Sequence, residues 1–424
     1  MNRRSFISGL GAAGFASAVL PQALGAELPA SSAQNTAAPD ASSVVRDSPA
    51  VYAPTPEGAT IVWPVREYCA GWVEHGESGS SAPGRIARAD GFGFVPHSSR
   101  VLRVRLSGLK PGQSYWFRTH TRPVYTTRTP PADLRITTSR IYTLRVLDPA
   151  ASEAKFCVWN DTHDRANTLA RLGELTRAEP ADFLLWNGDV TNDLHTEESI
   201  AGLFLQPKGD VNLADGPPIL LTRGNHDVRG HAANRVPEYV SFPGDRPYFS
   251  FRVGPVAAIA LDTGEDKPDN HPSFLGLADF EPLIHDQAQW LAREIEKPEF
   301  KSAPYKLVFC HIPLRWKNEF TPTYDDAGRS YDHWSARGRA AWHDSLVRWG
   351  AQMVLSGHTH QWHHLPATAE FPYAQLVGGG PALDETDAQA VLIRAHATAR
   401  ALTFRLINAS ANKQVFETAI GPAA

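Results

Sequence analysis

Cysteine and methionine are scarce in this sequence, with three cysteines and two methionines among 424 residues. Cys157 and Cys310 lie inside apolar stretches that are typical of buried strands, where a thiol acts as a small core side chain. An odd number of cysteines leaves at least one thiol unpaired in a monomer. The sequence therefore implies no disulfide framework.

Long apolar runs and blocks of like charge are also missing. No stretch is apolar enough over the length that a bilayer span requires. The 41 Lys and Arg residues against 45 Asp and Glu residues give a net charge of −4. Without a large basic block, the sequence shows no nucleic-acid-binding footprint. The composition fits a soluble globular protein, and the length predicts two or three domains.

Residues 1–26 resemble a bacterial twin-arginine signal peptide. Arg3-Arg4 is followed by Phe6, then by an apolar stretch rich in Gly and Ala, and small residues up to Ala26 offer a cleavage site. An ordinary secretory signal is the alternative. The composition of residues 27–46 predicts a flexible linker. The resemblance implies that the twin-arginine translocation machinery exports the protein to the periplasm or beyond.

Residues 47–150 predict a small all-β domain. Segments 60–63, 71–74 and 101–106 alternate apolar with polar residues, and a turn with proline and glycine precedes another strand that begins at residue 115. This spacing predicts a β-sandwich. Segment 58–119 also resembles the fibronectin type III-like N-terminal domain of purple acid phosphatases.

Residues 151–424 predict an α/β domain with a β-rich C-terminal tail. The expected strands are 156–160, 183–186, 219–222, 256–261, 307–310 and 353–355, and the expected helices are 166–178, 287–296 and 337–349. In the tail, the strand-like segments 374–377 and 401–408 suggest the completion of a second sheet.

Five short polar blocks follow the predicted strands. They are Asp161-Thr162-His163, Gly188-Asp189, Gly224-Asn225-His226-Asp227, His311 and Gly357-His358-Thr359-His360. Their carboxylate, imidazole and amide groups suit divalent ions such as Zn, Fe, Mn or Co. Each block alone is weak evidence, because a histidine in a polar loop is usually not a ligand. Five blocks at five strand ends together predict a metal site.

The spacing of the blocks has a structural explanation. One helix and one strand separate Asp161 from Asp189, so a right-handed βαβ unit brings both to neighbouring strand ends. His358 and His360 lie two apart in an extended segment and therefore on the same side of the chain. Glycines at positions 188, 224 and 357 permit tight backbone turns.

Together the blocks resemble the calcineurin-like metallophosphoesterase superfamily, with its pattern D-x-H, G-D, G-N-H-[DE], H and G-H-x-H. The resemblance covers about residues 154–381. It implies a four-layer β-sandwich flanked by helices and two divalent metal ions. The first ion is expected to bind Asp161, His163, Asp189 and His360, and the second Asp189, Asn225, His311 and His358.

The resemblance also implies a mechanism. A hydroxide that bridges the two ions attacks phosphorus in line, His226 acts as general acid, and Asp227 orients His226. Purple acid phosphatases have an iron-binding tyrosine three positions after the G-D aspartate, and this sequence has Asn192 there. We therefore expect neither a purple colour nor an obligatory Fe(III).

Three functions agree with the sequence. The first is a phosphomonoesterase for small phosphate esters, the second is a phosphodiesterase, and the third is a non-catalytic binding module outside the cytoplasm that metals stabilise. Segment 317–334 is either a lid or a solvated loop. Arg223, Arg229 and Arg315 are candidate phosphate contacts, whereas His195, His363 and His364 are expected near the site or at the surface.

Overall fold

The computed structural model describes residues 43–88, 93–124, 135–317, 323–324, 330–383 and 390–423. The predicted signal peptide and most of the predicted linker lie outside these residues. The strands are β1 (Ala50–Thr55), β2 (Gly58–Pro64), β3 (Cys69–Glu77), β4 (Arg85–Ala87), β5 (His97–Ser98), β6 (Val101–Leu106), β7 (Ser114–Pro123), β8 (Thr137–Thr138), β9 (Tyr142–Arg145), β10 (Ala154–Trp159), β11 (Phe183–Asn187), β12 (Ile219–Thr222), β13 (Phe249–Val253), β14 (Val256–Leu261), β15 (Tyr305–Cys310), β16 (Thr323–Tyr324), β17 (Ser330–Tyr331), β18 (Met353–Ser356), β19 (His363–Leu365), β20 (Ala374–Val377), β21 (Val391–Ala397), β22 (Leu402–Asn408) and β23 (Lys413–Ile420). The α-helices are α1 (Ala166–Ala178), α2 (Glu197–Phe204), α3 (Val236–Tyr239), α4 (Phe280–Glu294), α5 (Pro298–Lys301) and α6 (Trp334–Trp349).

Two large sheets form the centre of the fold. The first has nine strands in the order β23-β22-β21-β10-β11-β12-β1-β2-β6, and the second has six in the order β13-β14-β15-β18-β20-β19. The parallel strands β10, β11 and β12 are apolar on both faces, as expected for strands covered on both sides. In the second sheet, β14, β15, β18 and β20 also run parallel.

Aromatic side chains join the two sheets. Phe156 on β10 stacks on Phe183 of β11 with ring centroids 4.9 Å apart, and it meets the edge of Phe309 on β15 at 5.9 Å. Phe183 in turn contacts Phe251 on β13 at 5.1 Å. Aromatic pairs of this kind contribute beyond the apolar area that they bury.

Helices cover the outer faces of both sheets. Helix α1 presents Leu169, Leu172 and Leu175 to the first sheet, and Trp159 Nε1 on β10 donates to Thr176 Oγ1 of this helix at 2.9 Å. Helices α4 and α6 share a core with the outer face of β14, β15 and β18. The resulting helix–sheet–sheet–helix arrangement confirms the predicted α/β fold class with four layers.

The N-terminal strands form a sandwich that is continuous with the first sheet. Strands β3 to β5 and β7 to β9 make a separate six-stranded sheet, which packs on β1, β2 and β6. Strand β1 pairs in parallel with β12, with Tyr52 opposite Ile219. One sheet therefore crosses the predicted boundary at residue 150, and the division into two domains stays a prediction.

The C-terminal tail contributes to both sheets. Segment 374–377 enters the second sheet as β20, as predicted, but segment 402–408 does not. It forms β22 and joins the first sheet, because β21 pairs antiparallel with β10 and β22 follows β21 in a hairpin. The expectation that both segments complete the second sheet is wrong for 402–408.

A substitution at Tyr52 tests whether the N-terminal strands unfold together with the two central sheets, in one cooperative transition. Its side chain is fully buried, and its hydroxyl donates to the carbonyl oxygen of Phe204 at 2.5 Å. We expect Tyr52→Ala to lower the free energy of unfolding by about 3–5 kcal/mol in one transition, from the lost packing and the unpaired carbonyl. Urea unfolding followed by fluorescence and by circular dichroism measures this change.

Tyr68→Ala is the control, because this tyrosine is 42% exposed and the substitution is the same. We expect it to change the free energy of unfolding by about 0.5 kcal/mol or less. Two separate unfolding transitions, of which Tyr52→Ala shifts only one, would contradict the single unit.

Candidate metal centre

All five polar blocks lie at the carboxyl ends of central strands. The blocks beginning at Asp161, Gly188 and Gly224 follow β10, β11 and β12 of the first sheet. His311 and the block beginning at Gly357 follow β15 and β18 of the second sheet. Because the two sheets face each other, the loops meet at one edge of the sandwich. This is where open α/β sheets commonly bind ligands.

One group of side chains surrounds a point between the two sheets. Ligand atoms of Asp161, His163, Asp189 and His360 all lie within 4.8 Å of one another. The Nε2 atoms of His163 and His360 are 2.9 Å apart, and Nε2 of His163 lies 3.4 Å from Oδ2 of Asp189. Two unprotonated imidazole nitrogens at that distance repel each other unless a proton or a cation lies between them. The group therefore fits a cation.

A second group shares Asp189 with the first. It contains Asp189, His311 and His358, and Nε2 of His311 lies 3.2 Å from Oδ2 of Asp189. Asn225 adjoins this group, with its Oδ1 atom 2.9 Å from Nδ1 of His358. Nε2 of His311 is buried and has no hydrogen-bond partner, which is costly for a polar atom unless a ligand binds it. The structure thus brings together all seven residues predicted to bind metal.

The backbone is strained at these residues. Asp161, His163, Asp189, His358 and His360 have φ angles of 49°, 44°, 50°, 73° and 57°. Side-chain-bearing residues rarely adopt this left-handed region, and such strain clusters at functional sites. At each of the five positions the turn directs a carboxylate or an imidazole into the same small volume.

Two glycines permit the close approach of backbone to ligand. A Cβ atom on Gly224 would lie 2.2 Å from Oδ1 of Asp189, and one on Gly357 would lie 2.3 Å from Oδ2 of Asp161. Both distances are far below a van der Waals contact. The glycines of the G-N-H-D and G-H-x-H blocks are therefore required by packing against the two aspartates.

Burial and the charges of neighbouring side chains determine the protonation states of the candidate ligands. Burial lowers the pKa of His358 to about 3 and that of His360 to about 4, so both imidazoles are neutral and able to bind metal. Burial opposes the charged form of His311, but Asp189 raises its pKa to about 10. Burial also raises the pKa of Asp161 to about 7. Burial opposes the charged form of Asp189 as well, but His311 and His163 hold its pKa well below the usual range. The two buried carboxylates therefore share the positive charge of the histidines unequally.

The sequence and the fold have clear relatives. Residues 154–362 match the model of the calcineurin-like phosphoesterase family. This part of the chain belongs to the calcineurin-like metallophosphoesterase superfamily. The chain is 31% identical over 146 residues to Serine/threonine-protein phosphatase CPPED1 of Homo sapiens, covering 34% of this chain and 42% of that protein. It is 23% identical over 302 residues to Purple acid phosphatase 15 of Arabidopsis thaliana, covering 63% of this chain and 50% of that protein.

Solved structures extend the likeness in fold to most of the chain. Purple acid phosphatase PPD1 from yellow lupin (Lupinus luteus) superposes with a TM-score of 0.65, covering 88% of this chain and 74% of that one. PhoD superposes with a TM-score of 0.61 and covers 91% and 90%. Both share 13% sequence identity with this chain, so they show the fold alone. The chain spans about half the length, or somewhat less, of the two curated relatives named above.

His226 and Asp227, the two residues predicted to be catalytic, have different surroundings. Nδ1 of His226 lies 2.6 Å from the carbonyl oxygen of Asn192, and its Nε2 lies 3.3 Å from Nη1 of Arg229. Asp227 is fully buried and accepts hydrogen bonds from the backbone N–H groups of Val190, Thr191 and Gly224. The described hydrogen bonds of Asp227 therefore hold the loops that carry Asp189 and Asn225, and the atom that orients His226 is the Asn192 carbonyl oxygen.

Asn192, the position of the tyrosine in purple acid phosphatases, contacts a proposed ligand. Its Oδ1 atom lies 3.0 Å from Nδ1 of His163, so a proton on Nδ1 leaves the lone pair of Nε2 free for a metal. The carbonyl oxygen of Asn187 has the same relation to Nδ1 of His311, at 2.9 Å.

Sequence reasoning missed a buried polar network under the site. Asn187 Nδ2 donates to Asn160 Oδ1 at 3.0 Å, and Thr222 Oγ1 donates to Asn187 Oδ1 at 2.7 Å. These three residues end or follow β10, β11 and β12, so the network ties the three strand ends together. Asparagine immediately before D-x-H and before G-D was the available signal.

The candidate phosphate-binding arginines are engaged in structural contacts. Arg223 pairs with the buried Asp262 at 2.7 Å, and Arg229 pairs with the buried Glu265 at 2.8 Å. Arg315 donates to the carbonyl oxygens of Tyr373 and Pro366. These contacts anchor the loops around the site, and a buried carboxylate balances the charge of Arg223 and of Arg229.

The remaining candidates lie near the site or at the surface. The ring of His363 meets that of Trp316 at 5.3 Å, the ring of His364 meets that of Phe416 at 5.2 Å, and His195 is exposed. Much of the predicted lid, residues 318–322 and 325–329, lies outside the described residues. Trp334, at its end, contacts the ring of His358 with centroids 4.9 Å apart.

Asn192→Ala tests the positioning of His163. Without the Oδ1 acceptor, His163 loses the contact that fixes its tautomer, and we expect metal affinity to fall by about 10- to 100-fold. Titration of the metal-free protein with Zn²⁺ or Mn²⁺ measures the change. Asp193→Ala is the control, because Asp193 is exposed on the same loop. Equal affinity in the two variants would contradict a role for Asn192.

Proposed function

We propose that this protein is a phosphoric ester hydrolase that uses two divalent metal ions of the Zn, Fe, Mn or Co type. The observation that carries the proposal is the position of Asp189, whose carboxylate belongs to both groups of candidate ligands. A carboxylate shared in this way suits two neighbouring cations. The donor set of oxygen and imidazole nitrogen, without thiolate, agrees with such ions.

The residues divide between the two ions. Asp161, His163, Asp189 and His360 would hold the first, and Asp189, Asn225, His311 and His358 would hold the second. Bound there, the ions would supply Lewis-acid polarisation of a phosphate ester and a water nucleophile of lowered pKa. The chain itself contributes the fixed positions of the ligands through the strained backbone and the Asn187 and Asn192 contacts.

His226 is the proposed general acid. It lies at the rim of the site with its ring 5.0 Å from that of His163, and its backbone N–H donates to Oδ1 of Asp189 at 2.9 Å. Burial and the charge of Arg229 lower the pKa of His226, against the opposing effect of Asp189. A proton that is held less tightly passes more readily to a leaving alkoxide.

We further propose that Asp227 is a positioning residue. Through the backbone groups of Val190, Thr191 and Gly224 it fixes the loops on either side of His226. The resemblance of the sequence to the superfamily implies that Asp227 orients His226. We propose that Asp227 does so indirectly, by fixing these loops.

A phosphate monoester is the proposed substrate. The curated relatives in two separate groups are named as phosphatases, a serine/threonine-protein phosphatase and a purple acid phosphatase. The phosphodiesterase and the non-catalytic binding module remain the alternatives. All seven candidate ligands and His226 are present and grouped together, which favours an enzyme over a binding module.

Asp189→Ala and His360→Ala test the two-ion arrangement. Since Asp189 belongs to both groups, we expect its variant to lose both ions and all ester cleavage. His360 belongs to the first group alone, so we expect its variant to keep about one ion per chain. Elemental analysis of the metal-loaded proteins, with Asp193→Ala as control, measures this, alongside hydrolysis of aryl phosphate monoesters and diesters.

The outcomes of this experiment separate the three functions. Faster monoester cleavage supports the phosphatase, and faster diester cleavage favours the phosphodiesterase. Two bound ions without any turnover favour the binding module. Equal metal loss in both variants, or no bound metal in the unaltered protein, would overturn the shared role of Asp189.

His226→Gln tests the general acid. We expect kcat to fall by about 10²- to 10⁴-fold for esters of alkyl alcohols, which need a proton on departure. The loss should be much smaller for 4-nitrophenyl phosphate, because nitrophenolate leaves without one. Metal content should not change. An equal loss for both kinds of ester would show that His226 acts in some other way.

We also propose export through the twin-arginine machinery to the periplasm or the medium. The support is the Arg3-Arg4 pattern of the sequence. Among the described residues, no helix combines the length and the hydrophobicity needed to cross a membrane.

A further inference from the structure

A large cavity adjoins the candidate metal centre. Its volume is about 920 Å³, at the upper end of the roughly 300–1,000 Å³ range typical of small-molecule sites. The N-terminal halves of α4 and α6 form two of its walls, and the loop after β14 forms a third. A phosphate group alone would leave most of this space empty.

Two contacts connect the cavity with the proposed ligands. Trp334, which lines the cavity, contacts the ring of His358 with centroids 4.9 Å apart. Asp266, on the opposite wall, pairs with Arg229 at 2.8 Å, and Arg229 lies 3.3 Å from Nε2 of His226. The cavity therefore begins beside a proposed metal ligand, and Arg229 separates it from the proposed general acid. A leaving alcohol has to depart on the side of that acid.

The walls of the cavity are half apolar and half polar, with seven residues of each kind in the lining. Ile284 and Ala288 from α4 face Ala340 and Ala341 from α6, and the Trp334 indole lies towards the metal centre. Ile284 is only 4% exposed and belongs to the core between these helices and the second sheet. Such walls suit an organic group with apolar or aromatic surface.

Acidic side chains outnumber basic ones in the lining of the cavity, three against one. The basic one, Arg337, lies 3.9 Å from the carboxylate of Asp269. Arg337 donates to the carbonyl oxygens of Glu265 and Lys267, and Asp266 is paired with Arg229 and Lys267. Glu281 and Asp332 are exposed and, within the described part of the chain, take part in no ion pair. A second anionic group on the substrate would meet these two carboxylates.

We propose that this cavity binds the alcohol part of the phosphate ester and selects a bulky, partly apolar group that carries no negative charge. The inference rests on the proposed ester hydrolysis and specifies its substrate class. Compact phosphates and polyanionic esters are then poor substrates, because the first leave the apolar walls unfilled and the second are repelled.

A variant that fills the cavity tests the size preference. Ala340→Trp places an indole in the cavity from an exposed helical position, and Val347→Trp places the same side chain on α6 outside it. We expect Ala340→Trp to lower kcat/KM for 1-naphthyl phosphate by about tenfold or more, and that for the compact ester 2,2,2-trifluoroethyl phosphate by less than about twofold. Val347→Trp should change neither value, and metal content should stay the same in both.

The outcomes distinguish failure of the proposed ester hydrolysis from failure of the cavity proposal. If the metal-loaded unaltered protein cleaves neither ester, the proposed function fails. If it cleaves both and Ala340→Trp lowers the two rates equally, or lowers neither, the function stands and the cavity proposal is overturned.

A variant with fewer carboxylates tests whether the cavity disfavours negatively charged substrate groups. Glu281→Gln with Asp332→Asn removes two carboxylates from the cavity, and Asp286→Asn with Asp344→Asn removes two from exposed positions of α4 and α6 outside it. We expect the cavity variant to raise the ratio of kcat/KM for 4-carboxyphenyl phosphate over phenyl phosphate by about threefold, since exposed charges are partly screened. The control should leave the ratio unchanged. An equal change in both would show a general charge effect and overturn the selection by charge.

Discussion

The burial of two aspartates at one point is the constraint on which the site depends. Asp161 and Asp189 are almost completely buried, and both contribute to one group of candidate ligands. Two buried carboxylates are unfavourable without compensating charge and hydrogen bonds. The backbone N–H groups of His358 and His226 supply part of this compensation, at 2.8 and 2.9 Å. Histidines supply more, and two divalent cations would complete it.

The same constraint explains the unusual backbone around the site. The five ligand residues with left-handed φ angles and the two glycines against the aspartates are unfavourable or weakly stabilising in themselves. They persist because the strand ends that carry them are rigid. Stacked aromatics between the sheets and the Asn160–Asn187–Thr222 network hold β10, β11 and β12 in register, so the loops have little freedom to relax. Packing in the core therefore helps to fix the backbone of the candidate site.

The sequence predicted most of the central strands and the closeness of the candidate ligands, because both depend on local patterns. Helix α1 and strands β12, β14 and β20 have the predicted bounds, since apolar periodicity and turn residues mark them. The closeness of the candidate ligands could be predicted because each polar block follows a strand, and parallel strands bring their carboxyl ends together.

Features that depend on distant contacts could not be predicted. The pairing of β1 with β12 and of β21 with β10 joins segments that lie more than 150 residues apart in the chain. Nothing in either segment specifies its partner, so the sequence suggested a separate N-terminal domain and a tail in one sheet. The contact of Asn192 with His163 and the commitment of Arg229 to Glu265 depend in the same way on loop geometry.

The motif blocks shared with the superfamily and the cavity between α4 and α6 are formed by different parts of the chain. The candidate ligands stand in the motif blocks that are shared with the superfamily, so they say little about the substrate. The cavity is built instead from α4, α6 and the loop after β14, where Trp334 contacts His358 and Asp266 contacts Arg229. Changes on these helices could therefore alter substrate preference while the metal centre stays intact. Trp334 and Asp266 are two positions where a change in the cavity would also reach the proposed metal ligand His358 and, through Arg229, the proposed general acid.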